Sequence, residues 1–575
     1  MADVEIPPTA ADQRIDDLAD QLMDALLAGD PISATRIGDT RWNDRLPDLG
    51  DSGRGAAESA YRSILADATA VAPDTLASER ELTREILIRT TTDLLAGLEQ
   101  REYQLAVNHI RGVQSIPTDV AQYQVAIEPD ELEAMLGRLA GFPTLVQQHI
   151  ATLREGMADG RTSAIEPVRQ TISHIDLLLA QPTSESAVVT VATVADDQAR
   201  QRVQAAVDVH VRPAHIVYRD FLADEYEARA RREAGLGSTP GGEAAYALAI
   251  RWQTSIDRDP QEIHALGLDE VRQINAEMET VAASLGYPGR DALRRALMSP
   301  DAVLRKDELV TTAESQVERA TNAAPRHFRR IPSAACRVRP VEEYREEVEV
   351  GAFYVPPSAD GRRDGEFWLN RRNLEDLPRH LLATTTFHEA VPGHHFQMAT
   401  EIGLTSASRF RALSSSIEHP QLNNGYVEGW ALYAERLADE MGLYESEEER
   451  FGMLEAQLAR AMRLVVDTGI HALGWNRDLA IRTLHASDGE LYPRAFSEHE
   501  ADRYSVWPAQ ALGYKLGQRE IELARDDVSR HMGSRFDART FHDEVLGHGS
   551  LPLPILRREI VGWVERATDA GFRPA

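Results

Sequence analysis

His388-Glu389 and His394-His395, joined by Ala-Val-Pro-Gly, are the residues whose types and spacing best suit catalysis. On a helix, His-Glu-x-x-His sets two imidazoles one turn apart on one face, where both reach a zinc ion, and places the Glu to deprotonate an attacking water. Here the position one turn on from His388 is Pro392. His394 would point roughly 120° away from His388 on a regular helix. Pro392 lacks an N–H and clashes with the preceding turn, and Gly393 accepts unusual dihedrals, so the pair marks a kink or bulge. Two looped-out residues would return His394 to the face of His388. His395 lies on that face already, but about 10 Å along a straight helix, too far to share one tetrahedral ion without distortion. His388 and His394 are therefore the preferred ligands over His395, with Glu389 as general base.

A third ligand has to come from a separate helix. Tyr426-Val-Glu-Gly-Trp-Ala-Leu-Tyr-Ala-Glu435 supplies Glu428, and Glu435 one heptad later on the same face. A carboxylate in so apolar and aromatic a helix is costly to bury unless it meets a cation or a donor. Glu428 is the expected ligand, and Glu435 a candidate partner for a ligating histidine; the plain alternative for both is a surface carboxylate. Amide hydrolysis also needs a donor for the oxyanion that develops on the carbonyl oxygen. Tyr514, Tyr504, His471 and His548 each lie among apolar residues and could provide one. Tyr514 is taken first and His471 next, although a lone His or Tyr is more often a satisfied core residue.

The elements that must position these groups read as helices. Apolar residues recur at helical spacing from Asp12 to about Asp30, where Gly29-Asp30-Pro31 breaks the pattern, and residues 30 to 48 read as a loop. Long periodic segments follow near 56 to 72, 77 to 101, 129 to 158 and 164 to 181, which suggests antiparallel helices. Residues 187 to 195 suit strand or buried helix, and 196 to 234 resume charged helical character. Asp259-Pro-Gln-Glu262 combines an N-cap, a first-turn proline and an acidic third residue, so a helix starts there and runs towards Leu285. Between Ile331 and Asn370 the segments Cys336 to Pro340, Tyr344 to Tyr354 and Glu366 to Asn370 are short, aromatic and β-branched, which predicts a small antiparallel sheet. An exposed edge strand there could hold an extended peptide, or the sheet could be purely structural. Beyond residue 378 the pattern is helical almost to the end. The chain divides into an N-terminal helical region, 10 to 330, and a catalytic metal-binding region, 331 to 575, wrapped around one cleft.

Composition narrows the class. Of 575 residues, 43% are hydrophobic and 27% charged, and no apolar run approaches the roughly 18 residues of a membrane span. A net charge of -30 argues against nucleic acid and anionic membranes as partners. The single cysteine, Cys336, leaves any metal to His and carboxylate ligands and suits a reducing compartment. The opening residues have neither a basic region nor an apolar core, so a cytoplasmic protein without a secretory signal is expected. Nothing in the sequence sets an oligomeric state.

His388 to His395, Val427 to Glu435, Arg463 to Trp475, Arg503-Tyr504 with Pro508 to Gly517, and Gly549 to Leu553 resemble the bacterial domain-of-unknown-function family 885. Asp30 to Pro47 and Glu262 to Glu270 resemble its N-terminal half, so the likeness runs almost end to end. It implies a mainly α, zincin-like metallohydrolase, broadly similar to helical oligopeptidases and carboxypeptidases, with no family-wide substrate. The leading expectation is a zinc-dependent peptidase of short peptides, with Glu389 as base. The rivals are a metal-dependent hydrolase of a non-peptide amide in a biosynthetic pathway and a noncatalytic metal- or peptide-binding protein. Retention of Glu389 disfavours the last, since a structural zinc site needs no base and fills its fourth position with protein.

Overall fold

The chain is described by a computed structural model over residues 8–191, 197–299, 302–341, 346, 351–358, 361–372, 377–404, 407–417, 422–487, 489 and 493–569. Helices follow the predicted periodicity closely. Ala10–Gly29 begins at a Thr9 capping box with Asp12 and buries Ile15, Leu18, Leu22 and Leu26 on one face. Asp51–Ala70, Ser78–Gln100, Pro129–Ala158 and Ile165–Ala180 answer to the four long segments. Asp259 caps Pro260–Ser284 by accepting from the backbone N–H groups of Gln261 and Glu262.

Two expectations need correction. The stretch after Asp30 is not all loop: Asp30 accepts from Ser33 N–H and Pro31 occupies the first turn of helix Pro31–Arg36, so the residues that stop one helix start the next. Of the two readings open for 187 to 195, the described part takes the helical one, Ala187–Val191. The second correction concerns the sheet. Strands β1 (Cys336–Pro340), β2 (Ala352–Val355) and β3 (Gly365–Leu369) stand in the order β1-β3-β2. β3 pairs antiparallel with β2 but parallel with β1, so the sheet is mixed. The final strand returns between the first two, and its alternating burial places Phe367 and Leu369 inside. Most of the expected segment from Tyr344 to Tyr354 lies outside the described residues before Gly351.

The two ends of the chain share a core. Ile15, Leu22 and Ile86 from the first helices pack in one cluster with Phe396, Trp430, Tyr433 and Ile560. Four helices of the second half surround the candidate site: the His388 helix (Arg379–Glu389), the Glu428 helix (Asn424–Glu440), the arginine helix (Glu447–His471) and the Tyr514 helix (Leu512–Met532). The Glu428 and Tyr514 helices meet backbone to backbone. A Cβ on Gly429 would stand 2.5 Å from Gly517 Cα, and one on Gly517 only 1.8 Å from Gly425 O. That close approach sets Tyr514 beside Glu428.

Candidate metal centre

The His388 helix ends at Glu389, and helix His394–Ile402 starts after a turn through Ala390, Val391, Pro392 and Gly393. The interruption expected at Pro392-Gly393 is therefore a complete break between two helices. The Val391–Pro392 peptide is cis. Trp430, fully buried on the Glu428 helix, donates its indole N–H to Pro392 O at 3.0 Å. Gly393 is needed for space, since a Cβ there would stand 1.9 Å from His388 O.

This turn brings the two imidazoles together, with ring centroids 4.9 Å apart and planes nearly perpendicular. His388 Nε2 and His394 Nε2 lie 3.6 and 3.7 Å from Glu428 Oε2. Those separations are long for hydrogen bonds. Donor atoms about 2.0 to 2.1 Å from one tetrahedral ion stand roughly 3.3 to 3.4 Å apart, so the three atoms are spaced as ligands are. Glu428 Oε2 is also buried without a hydrogen-bond partner among the described residues, and two imidazoles with one carboxylate form a zinc donor set with an open fourth position. The residues fit a divalent cation. A carboxylate oxygen of Glu389 falls within 4.8 Å of ligand atoms of His388 and His394, close enough to act next to them.

Behind these groups lies a hydrogen-bonded chain. His388 Nδ1 is 2.8 Å from Glu435 Oε1, which holds Nε2 free to face Glu428 and Glu389. Gln457 donates to the other Glu435 oxygen at 3.1 Å and accepts from Lys515 Nζ at 2.7 Å. Glu435 thus takes the orienting place expected for it, while Gln457 and Lys515 were not singled out by the sequence. Their signal is faint: one amide and one cation on helix faces otherwise given to apolar burial.

The charges perturb one another. Burial pushes Glu389 up to about 7, with His388 and Arg460 opposing. Burial would lower His388, but Glu428 and Glu435 raise it to about 9. Burial would raise Glu428, but His388 and His394 bring it to about 2. Burial takes His394 down to about 4. A bound cation would compete with these protons and favour neutral imidazole and ionised carboxylate.

The other sequence candidates separate cleanly. Tyr514 stacks on His388 at 6.4 Å between ring centroids. His395 is turned away: its Nδ1 is 2.8 Å from Tyr354 OH and its Nε2 3.1 Å from Ala334 O. The structure corrects the reading of His471 as a catalytic donor. Its Nδ1 accepts from Leu236 N–H at 3.1 Å and its Nε2 donates to Tyr504 O at 2.9 Å, so no ring N–H is left for a substrate. Tyr504 spends its hydroxyl on Glu500 at 2.7 Å, and His548 sits 3.5 Å from Glu79 and 3.7 Å from Glu544. A cavity of about 800 Å³ runs along β1, lined by Val338, Thr321 and His395 among others, but by none of His388, Glu389, His394, Glu428 or Tyr514.

Comparison with known proteins matches residues 31–560 to a family described as "Bacterial protein of unknown function (DUF885)". No curated protein matches the chain. Among solved structures, a Colwellia psychrerythraea protein described as a "putative lipoprotein" is similar with a TM-score of 0.89 and 25% identity, over 97% of this chain and 99% of that one. A Shewanella oneidensis protein described as a "putative lipoprotein of unknown function" shares the fold, with a TM-score of 0.74 and 17% identity over 95% and 99% of the two chains. Among the described residues, no helix is long and apolar enough to cross a membrane.

Proposed function

The chain belongs to the DUF885 family, and from that premise we propose that it is a zincin-like, zinc-dependent hydrolase that cleaves an amide bond in short peptides. The observation that carries the proposal is the convergence of His388 Nε2 and His394 Nε2 on Glu428 Oε2, with the Glu389 carboxylate within 4.8 Å of the histidine ligand atoms. His388, His394 and Glu428 would hold the ion. When bound, zinc supplies a Lewis acid that polarises the carbonyl and eases ionisation of water.

The remaining steps fall to side chains. Glu389 takes a proton from the attacking water as its oxygen bonds to the carbonyl carbon, and returns that proton to the amine nitrogen as the C–N bond breaks. Water and amide thus become a carboxylic acid and an amine, and the acid's remaining proton passes to the amine to give carboxylate and ammonium. Tyr514, beside Glu428 and stacked on His388, donates its hydroxyl to the oxyanion as it develops. Glu435 keeps His388 in one tautomer, with Gln457 and Lys515 fixing Glu435 in turn. The turn at Pro392, held by Trp430, directs His394 inward.

The test compares zinc content and peptide-library hydrolysis in wild type and Glu389→Gln. The variant is expected to bind zinc stoichiometrically and lose about 10²- to 10⁴-fold in turnover. A zinc-loaded Glu389→Gln protein with full turnover would sink the mechanism. Absence of hydrolysis by zinc-loaded wild type across peptides and acyl amides would turn the reading towards a binding protein.

A further inference from the structure

We propose that Arg460 and Arg463 form a receptor for a substrate carboxylate, so that the bond cut is the one releasing a C-terminal residue or dipeptide with its free carboxylate. The proposal deepens the hydrolase reading and rests on it for the scissile bond, but its residues are separate from the metal ligands.

The two arginines lie three residues apart on the arginine helix and so share a face. Their guanidinium carbons stand 6.0 Å and 4.5 Å from the centre of the Tyr514 ring. That ring is itself 6.4 Å from His388. The guanidinium carbons therefore lie at most about 12 and 11 Å from the His388 ring. A carboxylate carbon paired with a guanidinium stands roughly 4 Å short of it, which leaves at most about 7 to 8 Å, the reach of one or two residues at up to about 3.6 Å each.

What distinguishes this pair is unused hydrogen-bonding capacity. Arg460 makes no hydrogen bond or ion pair with another described residue, and its Nε is buried without a partner. Arg463 reaches Glu500 Oε2 at 3.4 Å through Nη2, while its Nη1 is buried and unpartnered. Neighbouring arginines are answered in full: Arg436 holds Glu277 through both Nη atoms, and Arg503 holds Glu500 through Nε and Nη2. A buried guanidinium nitrogen left without an acceptor is costly. The acids near Arg460 are already committed, Glu435 to His388 and Gln457, and Glu389 to catalysis.

Charge counting points the same way. Arg460, Arg463 and Arg503 all act on Tyr514, yet one carboxylate, Glu500, answers Arg463 and Arg503 together. Once a cation offsets Glu428, this side of the centre carries excess positive charge. A planar carboxylate suits forked guanidinium donors.

The experiment measures binding without turnover. An N-acyl dipeptide with a reduced, uncleavable scissile amide is prepared as free acid and as C-terminal carboxamide, and each is titrated calorimetrically into zinc-loaded wild type, Arg460→Gln and Arg460→Gln/Arg463→Gln. Wild type is expected to prefer the acid by about 10- to 100-fold, with the preference weakened in the single variant and lost in the double. Arg460→Gln breaks no hydrogen bond or ion pair among the described residues and loses only the contact with the Tyr514 ring, so it remains informative if loss of the Arg463–Glu500 pair unfolds the double variant; thermal melts report which has happened. Equal binding of acid and amide by wild type, unchanged preference in Arg460→Gln, or no binding of either form overturns the proposal. An arginine-dependent acid preference without hydrolysis of the corresponding peptide would refute the hydrolase reading and leave the receptor standing.

Discussion

Gly393→Ala tests whether the turn between the two helices is what assembles the proposed metal centre. The added Cβ would stand 1.9 Å from His388 O, 2.5 Å from His388 C and 2.5 Å from Phe387 O. All three are backbone atoms of a helix that packs against its neighbours, so none can swing aside as a side-chain end would. A carbon–oxygen contact settles at about 3.3 Å or more, which requires the turn to move by roughly 1.4 Å. His394 follows directly in sequence and moves with it, whereas metal bonds tolerate only about 0.2 Å. Loss of zinc affinity should exceed the roughly 10- to 100-fold typical of removing an outer partner of a ligand. The overpacking should cost about 1 to 3 kcal/mol of stability. Gly55→Ala is the control, because a Cβ at Gly55 meets nothing within 4 Å and should raise stability by up to about 1 kcal/mol within its helix. Chelator competition gives zinc affinity and thermal melting gives stability for both variants. A cooperatively folded Gly393→Ala protein with wild-type zinc affinity would refute the argument that this turn directs His394.

His388→Ala should lose zinc outright while Glu389→Gln keeps it, as read by metal analysis of the purified proteins; equal zinc content in both would contradict the ligand assignment. Tyr514→Phe should retain zinc and lose about 10²- to 10³-fold in turnover, and unchanged turnover would remove Tyr514 from the oxyanion role. His471→Ala leaves Leu236 N–H buried and unpaired, while Tyr504 C=O keeps the Trp507 N–H, so the cost is about 1 to 3 kcal/mol for the one orphaned group, without altering zinc content; a loss of zinc with intact stability would restore His471 to the site. Glu544 and Glu79 raise His548 to about 9 in the fold, above its unfolded value near 6.5. Its stabilising contribution is therefore complete below about pH 6.5 and lost as pH rises through about 9. At these contact distances it should amount to roughly 1 kcal/mol. His548→Gln should flatten that part of the melting-temperature profile, and an unchanged profile would show that the ion pairs contribute nothing.

Most helices were legible because one-sided burial leaves a period in the sequence, as Ile15, Leu18, Leu22 and Leu26 show. Local caps were equally readable at Asp259, where the acceptor and the orphan N–H groups are near neighbours in the chain. The mixed sheet was not, because strand direction depends on how Gly365–Leu369 returns between two earlier strands. His471 looked like a donor among apolar residues, and only its two backbone partners, Leu236 and Tyr504, reveal that both nitrogens are occupied.

For the candidate site, residue types alone specify the donor chemistry: two histidines, a neighbouring base, a carboxylate in an aromatic helix, and a proline and glycine that cannot continue a regular turn. They leave open whether His394 or His395 faces inward. Tertiary structure decided that, because imidazole direction follows from a turn tied by Trp430 to Pro392 O and from the glycine contacts that press the Glu428 and Tyr514 helices together. Arg460 carries no local signal and Arg463 stands out only within the stretch that resembles the family, until folding buries Arg460 Nε and Arg463 Nη1 beside Tyr514. Residue type sets what an atom can bind; only packing between distant segments sets what it meets.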